Sequence, residues 1–358
     1  MDEKFFVFGK GKTMKNIILI TGGCGFIGTN AADYYLKRGY KVIIFDNLSR
    51  VGAQINLNWL KTRGPFIFIK EDIRNDKKLL EIFKKYKPDL VLHLAAQTTM
   101  VNSIKNPRED FEVNAWGTFN LLEAMRKTNS KARAIYSSTN KTYGELNYIP
   151  IVEKKKRYDY QDIKGVDENF PLNFAGPYGN SKGCGDQYFL DYSRIFGLNT
   201  VVFRQSGIFG PHQFGIEEQG WLAWFCNALL FGKPVTIFGD GKQVRDVLYI
   251  PDLISAYDLA ARNIKKTRGQ AYNIGGGPKF SLSIWELFDI LEKLANKKFN
   301  YSFGPWRPGD QKIYISDISR AKKDFNFQPK ISPKEGVLKL YNWISENKTL
   351  IKKSGVFK

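Results

Sequence analysis

The stretch from Ile17 to Arg38 constrains this chain more than any other. Ile17-Ile18-Leu19-Ile20 is a continuous apolar run and reads as a strand buried on both faces of a parallel sheet. Thr21-Gly22-Gly23-Cys24-Gly25-Phe26-Ile27-Gly28 follows at once, and a helical pattern runs from Phe26 to about Arg38, with Gly39 as its C-cap signal. A glycine triplet alone says little. Spaced GxxGxxG from Gly22 and set between a strand and a helix, it is a variant of the turn that lets backbone approach a pyrophosphate, whose charge then sits at the helix N-terminus.

The rhythm continues through Val42-Ile43-Ile44-Phe45, Phe66-Ile67-Phe68-Ile69, Leu90-Val91-Leu92-His93-Leu94 and Ala134-Ile135-Tyr136-Ser137, with helical stretches over 76–86 and 109–127. Strand and helix in alternation predict an α/β doubly wound parallel sheet of Rossmann type. Residues 145–177 interrupt it. They are polar, carry Lys154-Lys155-Lys156-Arg157 and are expected to make a long excursion over the active-site face. A helix from Tyr178 to about Phe196 and the strand Thr200-Val201-Val202-Phe203 resume the pattern. Beyond Gly210 the elements are shorter and mixed, with helical candidates near 217–231, 252–264, 283–295 and 334–346. The expected division is an unstructured leader over 1–13 with Met14 as candidate start, a dinucleotide-binding domain mainly over 14–204, a smaller substrate-binding cap mainly over 205–350 with some chain exchange, and a tail over 351–358.

Composition removes several function classes. At 358 residues, with 43% hydrophobic and 15% aromatic side chains, the chain can bury a sizeable core, which excludes global disorder. No apolar run approaches the roughly 20 residues of a membrane helix, and Asp2 and Glu3 occupy the place of a basic signal-peptide region. The 3 cysteines are scattered, without a CxxC pair, which argues against a disulfide framework and fits a cytoplasmic setting. With 2 histidines there is no histidine-rich metal site, and no GxSxG elbow marks a serine hydrolase. The 55 basic against 35 acidic side chains, a net +20, fit nucleic acid, an anionic small substrate or a lysine-rich surface. No motif, aromatic interleaving or basic helix stripe accompanies the excess, so most of it reads as surface composition and no nucleic-acid partner is expected.

Two constellations carry chemistry. Asp46, at the end of the second strand, is placed to accept ribose hydroxyls and to disfavour a 2′-phosphate, so NAD is preferred to NADP; Arg50, close by, argues the other way. Asp72-Ile73 after the third strand has a weaker claim on the adenine edge. The second is Tyr178 and Lys182, four residues apart on one helix face, following a strand that ends in Ser137-Ser138-Thr139 at the ligand-binding edge of the sheet. Ionising a free tyrosine at neutral pH requires roughly 4 kcal/mol. A cation about 4 Å away, at an effective dielectric of about 20, supplies roughly that amount. Lys182 is therefore expected to make Tyr178 a usable base, with Thr139 holding the reacting hydroxyl in line.

Together these residues resemble the extended short-chain dehydrogenase/reductase superfamily of sugar-nucleotide epimerases and dehydratases, from Lys15 to about Trp343. His93-Leu94-Ala95-Ala96-Gln97, Asn114, Ser137 to Gly144, Arg245-Asp246-Val247 and Arg307-Pro308-Gly309-Asp310 match its segments. The resemblance implies a tightly bound NAD held by Gly22, Gly25, Phe26, Ile27, Gly28, Asp46, Asn47, Ser49, Arg50, Asp72, Ile73, Leu94, Ala95, Ala96, Gln97, Asn114, Ser137, Ser138, Tyr178 and Lys182. It implies catalysis by Tyr178, Lys182 and Thr139, substrate contacts at Thr139, Gln205, Ser206, Arg245, Arg307 and Asp310, and no metal. Helices 109–127 and 178–196 would form a homodimer or homotetramer interface.

Within the superfamily, Asp46 to Arg50, Ser138 to Lys141 and Gln213 to Trp221 are similar to epimerases that invert carbon 2 of a CDP-hexose through a transient 2-keto sugar. The alternatives are a carbon 4 epimerase of UDP- or GDP-sugars and, more remotely, a non-catalytic NAD-binding module that docks on nucleic acid. The dehydratases carry Thr-Asp-Glu where this chain has Thr139-Asn140-Lys141, which disfavours water elimination. His212 stands where relatives usually have arginine, so sugar or base preference would differ if that position touches substrate. Trp221 and Trp224, at helical offset, are expected in the core.

Overall fold

The structure, a computed structural model, describes residues 16–307 and 309–357; the expected leader over 1–13 and Pro308 lie outside the described residues. Strands β1 (Ile17–Thr21), β2 (Lys41–Phe45), β3 (Ile67–Ile69), β4 (Leu90–His93) and β5 (Arg133–Thr139) join the strands Asn199–Gln205 and Ala271–Ile274 in one parallel sheet. From one edge the order is Ala271–Ile274, Asn199–Gln205, β5, β4, β1, β2, β3. From β1 the chain builds outward through β2 and β3 on one side, and through β4 and β5 on the other. The crevice outside the carboxyl ends of β1 and β4 is thus the switch point where such sheets bind ligands.

The apolar runs are explained by burial on two sides. Ile18, Ile20, Val42 and Ile44 face a layer that includes Ala31, Ala32 and Tyr35 of helix α1 (Phe26–Leu36) and Ile254 and Tyr257 of helix Ile250–Arg262. Leu19, Ile43 and Val91 point the other way, against Leu79 and Phe83 of helix Asp76–Tyr86 and Leu121 and Leu122 of helix Gly117–Lys127. Each fully buried aliphatic side chain contributes roughly 1.5–3 kcal/mol, so neither face leaves room for alternation with polar residues. A second core joins helices Trp221–Phe231, Ile284–Ala295 and Pro333–Glu346 to strand Val244–Tyr249. The last helix, Lys348–Ser354, buries Ile351 against the same core, so residues from 351 onward are partly helical.

Several expectations change. The helix expected over 109–127 begins at Pro107 and is broken by a π-turn over Glu112–Trp116. The helix expected from 217 begins at Trp221, because Ile216 and Gln219 pair across a tight turn. The excursion 145–177 carries a hairpin, Ile151–Glu153 with Tyr158–Tyr160, and bridges Val166 to Ser316. Its Leu146, Ile149, Tyr158 and Val166 form a small core with Val244, Ile313 and Tyr314, and the hairpin lies against the cap instead of lining the site. The basic run does not float free: Lys156 pairs with Asp289 at 2.6 Å and Arg157 with Glu286 at 3.1 Å.

Candidate active site

Two cavities meet at the carboxyl edge of the sheet. The first is a cleft of about 610 Å³ running from the glycine turn to Tyr178 and Lys182. The second, about 400 Å³, lies between Thr139 and Tyr178 on one side and the cap on the other. Thr139, Tyr178, Ser206, Gln219 and Trp221 border both.

Every residue expected to hold the dinucleotide lines the cleft except Asn114. Asn114 is buried behind it, donating to Gln97 O at 3.0 Å and Ser181 Oγ at 3.0 Å and accepting from Gln97 N at 2.9 Å, so it braces the wall. The glycine turn has no spare volume: a Cβ on Gly28 would lie 2.3 Å from Gly22 O. Gly22 itself has φ +69 and presses on Ala95. The first turn of α1 has no side-chain cap and no acidic residue, leaving its amides to a ligand anion. Asp46 accepts from Cys24 N at 2.9 Å and Leu48 N at 2.7 Å, which fixes its carboxylate at the cleft wall, and burial raises its pKa. Asn47 donates to Asp72 at 2.9 Å, and Arg74 holds Asp72 at 2.8 Å and keeps it ionised. At the inner end, Thr21 Oγ1 and His93 Nδ1 are 2.7 Å apart, tying together the ends of β1 and β4. These features fit a dinucleotide.

Thr139, Tyr178 and Lys182, expected to be catalytic, are positioned by β5 and the helix Gly176–Phe196. Thr139 ends the strand, caps the turn that follows by accepting from Lys141 N at 3.2 Å, and faces the Tyr178 phenol, whose pKa it lowers. Lys182 is buried, with its ammonium 4.2 Å from the centre of the Tyr136 ring. Tyr178 and Lys182 both line the cleft from this helix. Burial pushes Tyr178 up to about 12, and the cation that opposes this is Arg50. Burial lowers Lys182 to about 7, against the pull of Asp110 and Asp186. The Lys182 ammonium lies over the Tyr136 ring, one helical turn from Tyr178. Arg50 lines the same cleft, and its guanidinium donates to Gln219 across the site.

Of the expected substrate residues, Thr139, Ser206, Arg245, Arg307 and Asp310 line the second cavity, whereas Gln205 lines the cleft and donates to Tyr257 at 2.5 Å. The Ser206 hydroxyl donates to Asp246, buried beneath it. Asp310 bridges Arg245 at 2.7 Å and Lys141 at 3.3 Å, and Arg307 lies 3.8 Å over the Phe238 ring. His212 does not face the second cavity; it lies 3.9 Å from Trp59 and 5.2 Å from Trp343, ring to ring. Trp221 and Trp224 pack on the cap core yet also line the second cavity, so they are not solely core residues.

Residues missed from the sequence include Lys141, Gln219, Asp110 and Asp186. Lys141 was legible in Thr139-Asn140-Lys141, and Asp186, four residues after Lys182, shares its helix face. Asp186 pairs with Arg204 at 3.0 Å in a buried ion pair and accepts from Ser138 at 2.8 Å, supporting the floor of the site. Gln219 lay within the Gln213–Trp221 run that carries the resemblance, whereas no signal marked Asp110, which tertiary folding alone brings near.

A threonine and a tyrosine beside a dinucleotide cleft suit the transfer of a proton off a substrate hydroxyl, the working arrangement of a dinucleotide-dependent enzyme. The sequence pattern of the NAD dependent epimerase/dehydratase family matches residues 18–275, and the chain belongs to that family. A CDP-paratose 2-epimerase of Salmonella typhi is 49% identical over 334 residues, covering 92% of this chain and 99% of that protein. A putative UDP-glucose 4-epimerase of Methanocaldococcus jannaschii is 36% identical over 332 residues, covering 92% and 99%. The solved UDP-glucuronic acid 4-epimerase from Bacillus cereus, in complex with UDP-glucuronic acid and NAD, is similar with a TM-score of 0.79 at 30% identity, covering 92% of this chain and 99% of that one. Among the described residues no helix is long and apolar enough to cross a membrane, and no group of 3 or more His, Cys, Asp or Glu could hold a metal ion.

Proposed function

We propose that this protein is an NAD-dependent epimerase that inverts carbon 2 of a CDP-hexose, of the CDP-paratose to CDP-tyvelose type. The observation that carries the reading is the 49% identity to the Salmonella typhi CDP-paratose 2-epimerase over 92% of this chain. The site supports it: the Gln213–Trp221 run that marks the resemblance reaches the junction of the two cavities beside Thr139 and Tyr178.

Carbon 2 of a nucleotide-linked hexose has no neighbouring carbonyl to acidify its hydrogen, so inversion requires transient oxidation to a 2-keto sugar. The cofactor, when bound, supplies a reversible hydride acceptor. Tyr178 takes the proton of the carbon 2 hydroxyl and later returns it, while Thr139 holds that hydroxyl in line with the phenol. Lys182 binds the cofactor ribose and keeps a proton within reach of neutral pH. Arg245 and Arg307 hold the substrate diphosphate, with Asp310 at the nucleotide ribose. Trp221 and Trp224 wall the sugar space.

Tyr178→Phe should abolish turnover yet retain NAD. Deuterium at carbon 2 should stay in product formed in ordinary water; its loss to solvent would refute oxidation and return at that carbon. Incubation with CDP-paratose, CDP-glucose and UDP-glucose, resolved by NMR, separates this reading from a carbon 4 epimerase, which would convert UDP-glucose.

The same reading includes a homodimer or homotetramer. Ile104, Phe111, Trp116, Tyr188, Ile195 and Phe196 are exposed on the helices between residues 100 and 127 and on Gly176–Phe196. Light scattering of the purified protein tests the assembly.

A further inference from the structure

Among the described residues the second cavity is lined by three cations, Lys141, Arg245 and Arg307. Arg307 belongs to the cap: it lies 3.8 Å over the Phe238 ring and 3.4 Å from Glu217 O. Lys141 belongs to the opposite wall. It sits in the turn Asn140–Tyr143 directly after β5, and its amide donates to Thr139 Oγ1 at 3.2 Å. Its carbonyl lies against the helix that carries Tyr178, where a Cβ on Gly179 would meet it at 3.5 Å. The Lys141 ammonium donates to Gly309 O at 3.0 Å and to Asp310 Oδ1 at 3.3 Å. A lysine has three N–H donors, and among the described residues these two acceptors leave one donor unused. Charge is left over as well. Asp310 Oδ1 also accepts from Arg245 at 2.7 Å, so two cations share one carboxylate at the cavity wall. Burial lowers Lys141 to about 8, which still leaves it charged at neutral pH. The loop beneath does not depend on this lysine alone, since Arg245 holds Asp310 and Asn140 donates to Gln311 at 2.9 Å.

We propose that the unused donor of Lys141 binds the phosphate attached to carbon 1 of the sugar, and that this contact selects carbon 2 as the carbon presented to Tyr178. The proposal rests on the reading of the chain as a carbon 2 epimerase of a CDP-hexose. Its logic is positional. In a nucleotide sugar the diphosphate is joined to carbon 1. When carbon 2 faces Thr139 and Tyr178, the sugar-linked phosphate must therefore lie beside the same two residues. When carbon 4 reacts, that phosphate lies on the far side of the ring. A partly buried ammonium in the turn that carries Thr139 suits the first case, because the phosphate supplies a charge-assisted acceptor. In the second case it would face only neutral hydroxyls, and its surplus charge would go unmatched. The order along the cavity wall agrees. Thr139, then Lys141, then Arg245 with Asp310 follow the order of carbon 2, the sugar-linked phosphate, and the rest of the diphosphate with its ribose.

The test is calorimetric binding of CDP and of CMP to the holoenzyme, because the two differ only in the phosphate to which the sugar is joined. The native enzyme should bind CDP more tightly than CMP. Lys141→Met should weaken CDP by about tenfold to a hundredfold, as for the loss of one charged hydrogen bond, and leave CMP unchanged. Lys141→Gln, which can still donate to Gly309 O, should show the same loss, and Lys141→Arg should restore most of the affinity. With CDP-paratose as substrate, both uncharged variants should lose kcat as well as gain KM, since carbon 2 is no longer held in line. CDP affinity unmoved in both Lys141→Met and Lys141→Gln overturns the proposal. So does a loss shared equally by CDP and CMP, which makes Lys141 only a support for the loop at Asp310. A raised KM with kcat unmoved overturns the selection of carbon 2. A native enzyme that binds CDP no more tightly than CMP, or that leaves CDP-paratose unchanged, instead overturns the reading beneath.

Discussion

Lys182→Met replaces a buried ammonium with an uncharged side chain of similar length, and the structure sets the size and sign of the effect. In the folded chain burial lowers Lys182 from the ordinary 10.5 to about 7. That gap, at about 1.4 kcal/mol per pH unit, corresponds to a folding cost of at most about 5 kcal/mol. Below the folded pKa both states carry the proton and the whole cost is present. Between the folded and unfolded values the unfolded chain binds more protons, so stability rises with pH; above both, the cost is gone. The methionine variant has no such titration. Its stability relative to the native chain should therefore be greatest near about pH 6 and fall steadily towards about pH 10. Burial already raises the Asp110 pKa, and losing the opposing pull of Lys182 makes Asp110 still easier to protonate in the variant. The assay is thermal or urea unfolding of both proteins, stripped of dinucleotide, across that pH range. A difference that stays constant would mean that the ammonium titrates in its ordinary range and that the site is not desolvated as described.

Gly28→Ala places a methyl 2.3 Å from Gly22 O and 2.6 Å from Gly23 Cα, both backbone atoms that cannot turn aside. It should destabilise the protein by about 1–3 kcal/mol and release the dinucleotide, read as melting temperature and as cofactor recovered after denaturation. His212→Asn, chosen because asparagine tolerates the native φ of +66, removes the ring between Trp59 and Trp343. It should cost about 1–3 kcal/mol for two aromatic contacts and leave the preference among nucleotide sugars unchanged; an altered preference would place this residue at the substrate after all.

The parallel sheet was legible because strands covered on both faces have no polar alternation: Ile17 to Ile20, Val42 to Phe45 and Leu90 to His93 announce themselves, and the glycine turn separates β1 from α1 by a spacing that backbone geometry demands. The excursion 145–177 was misplaced because its apolar residues, Leu146, Ile149, Tyr158 and Val166, are isolated in sequence and gain a core only against Val244, Ile313 and Tyr314. Trp221 and Trp224 illustrate a different limit. Helical offset tells which side chains share a face, but that face both packs on the cap core and walls a cavity.

By itself the sequence determined the alternation of elements, the turn that faces a pyrophosphate, and the placing of Tyr178 and Lys182 one helical turn apart, because each follows from local backbone geometry and burial. Tertiary structure decided which charges these two groups meet. Arg50 and Gln219, 169 positions apart, come together in the cleft that Tyr178 also lines, while Asp110 and Asp186 oppose the effect of burial on Lys182. Electrostatic interaction depends on distance through space and on burial, and neither is recorded in spacing along the chain.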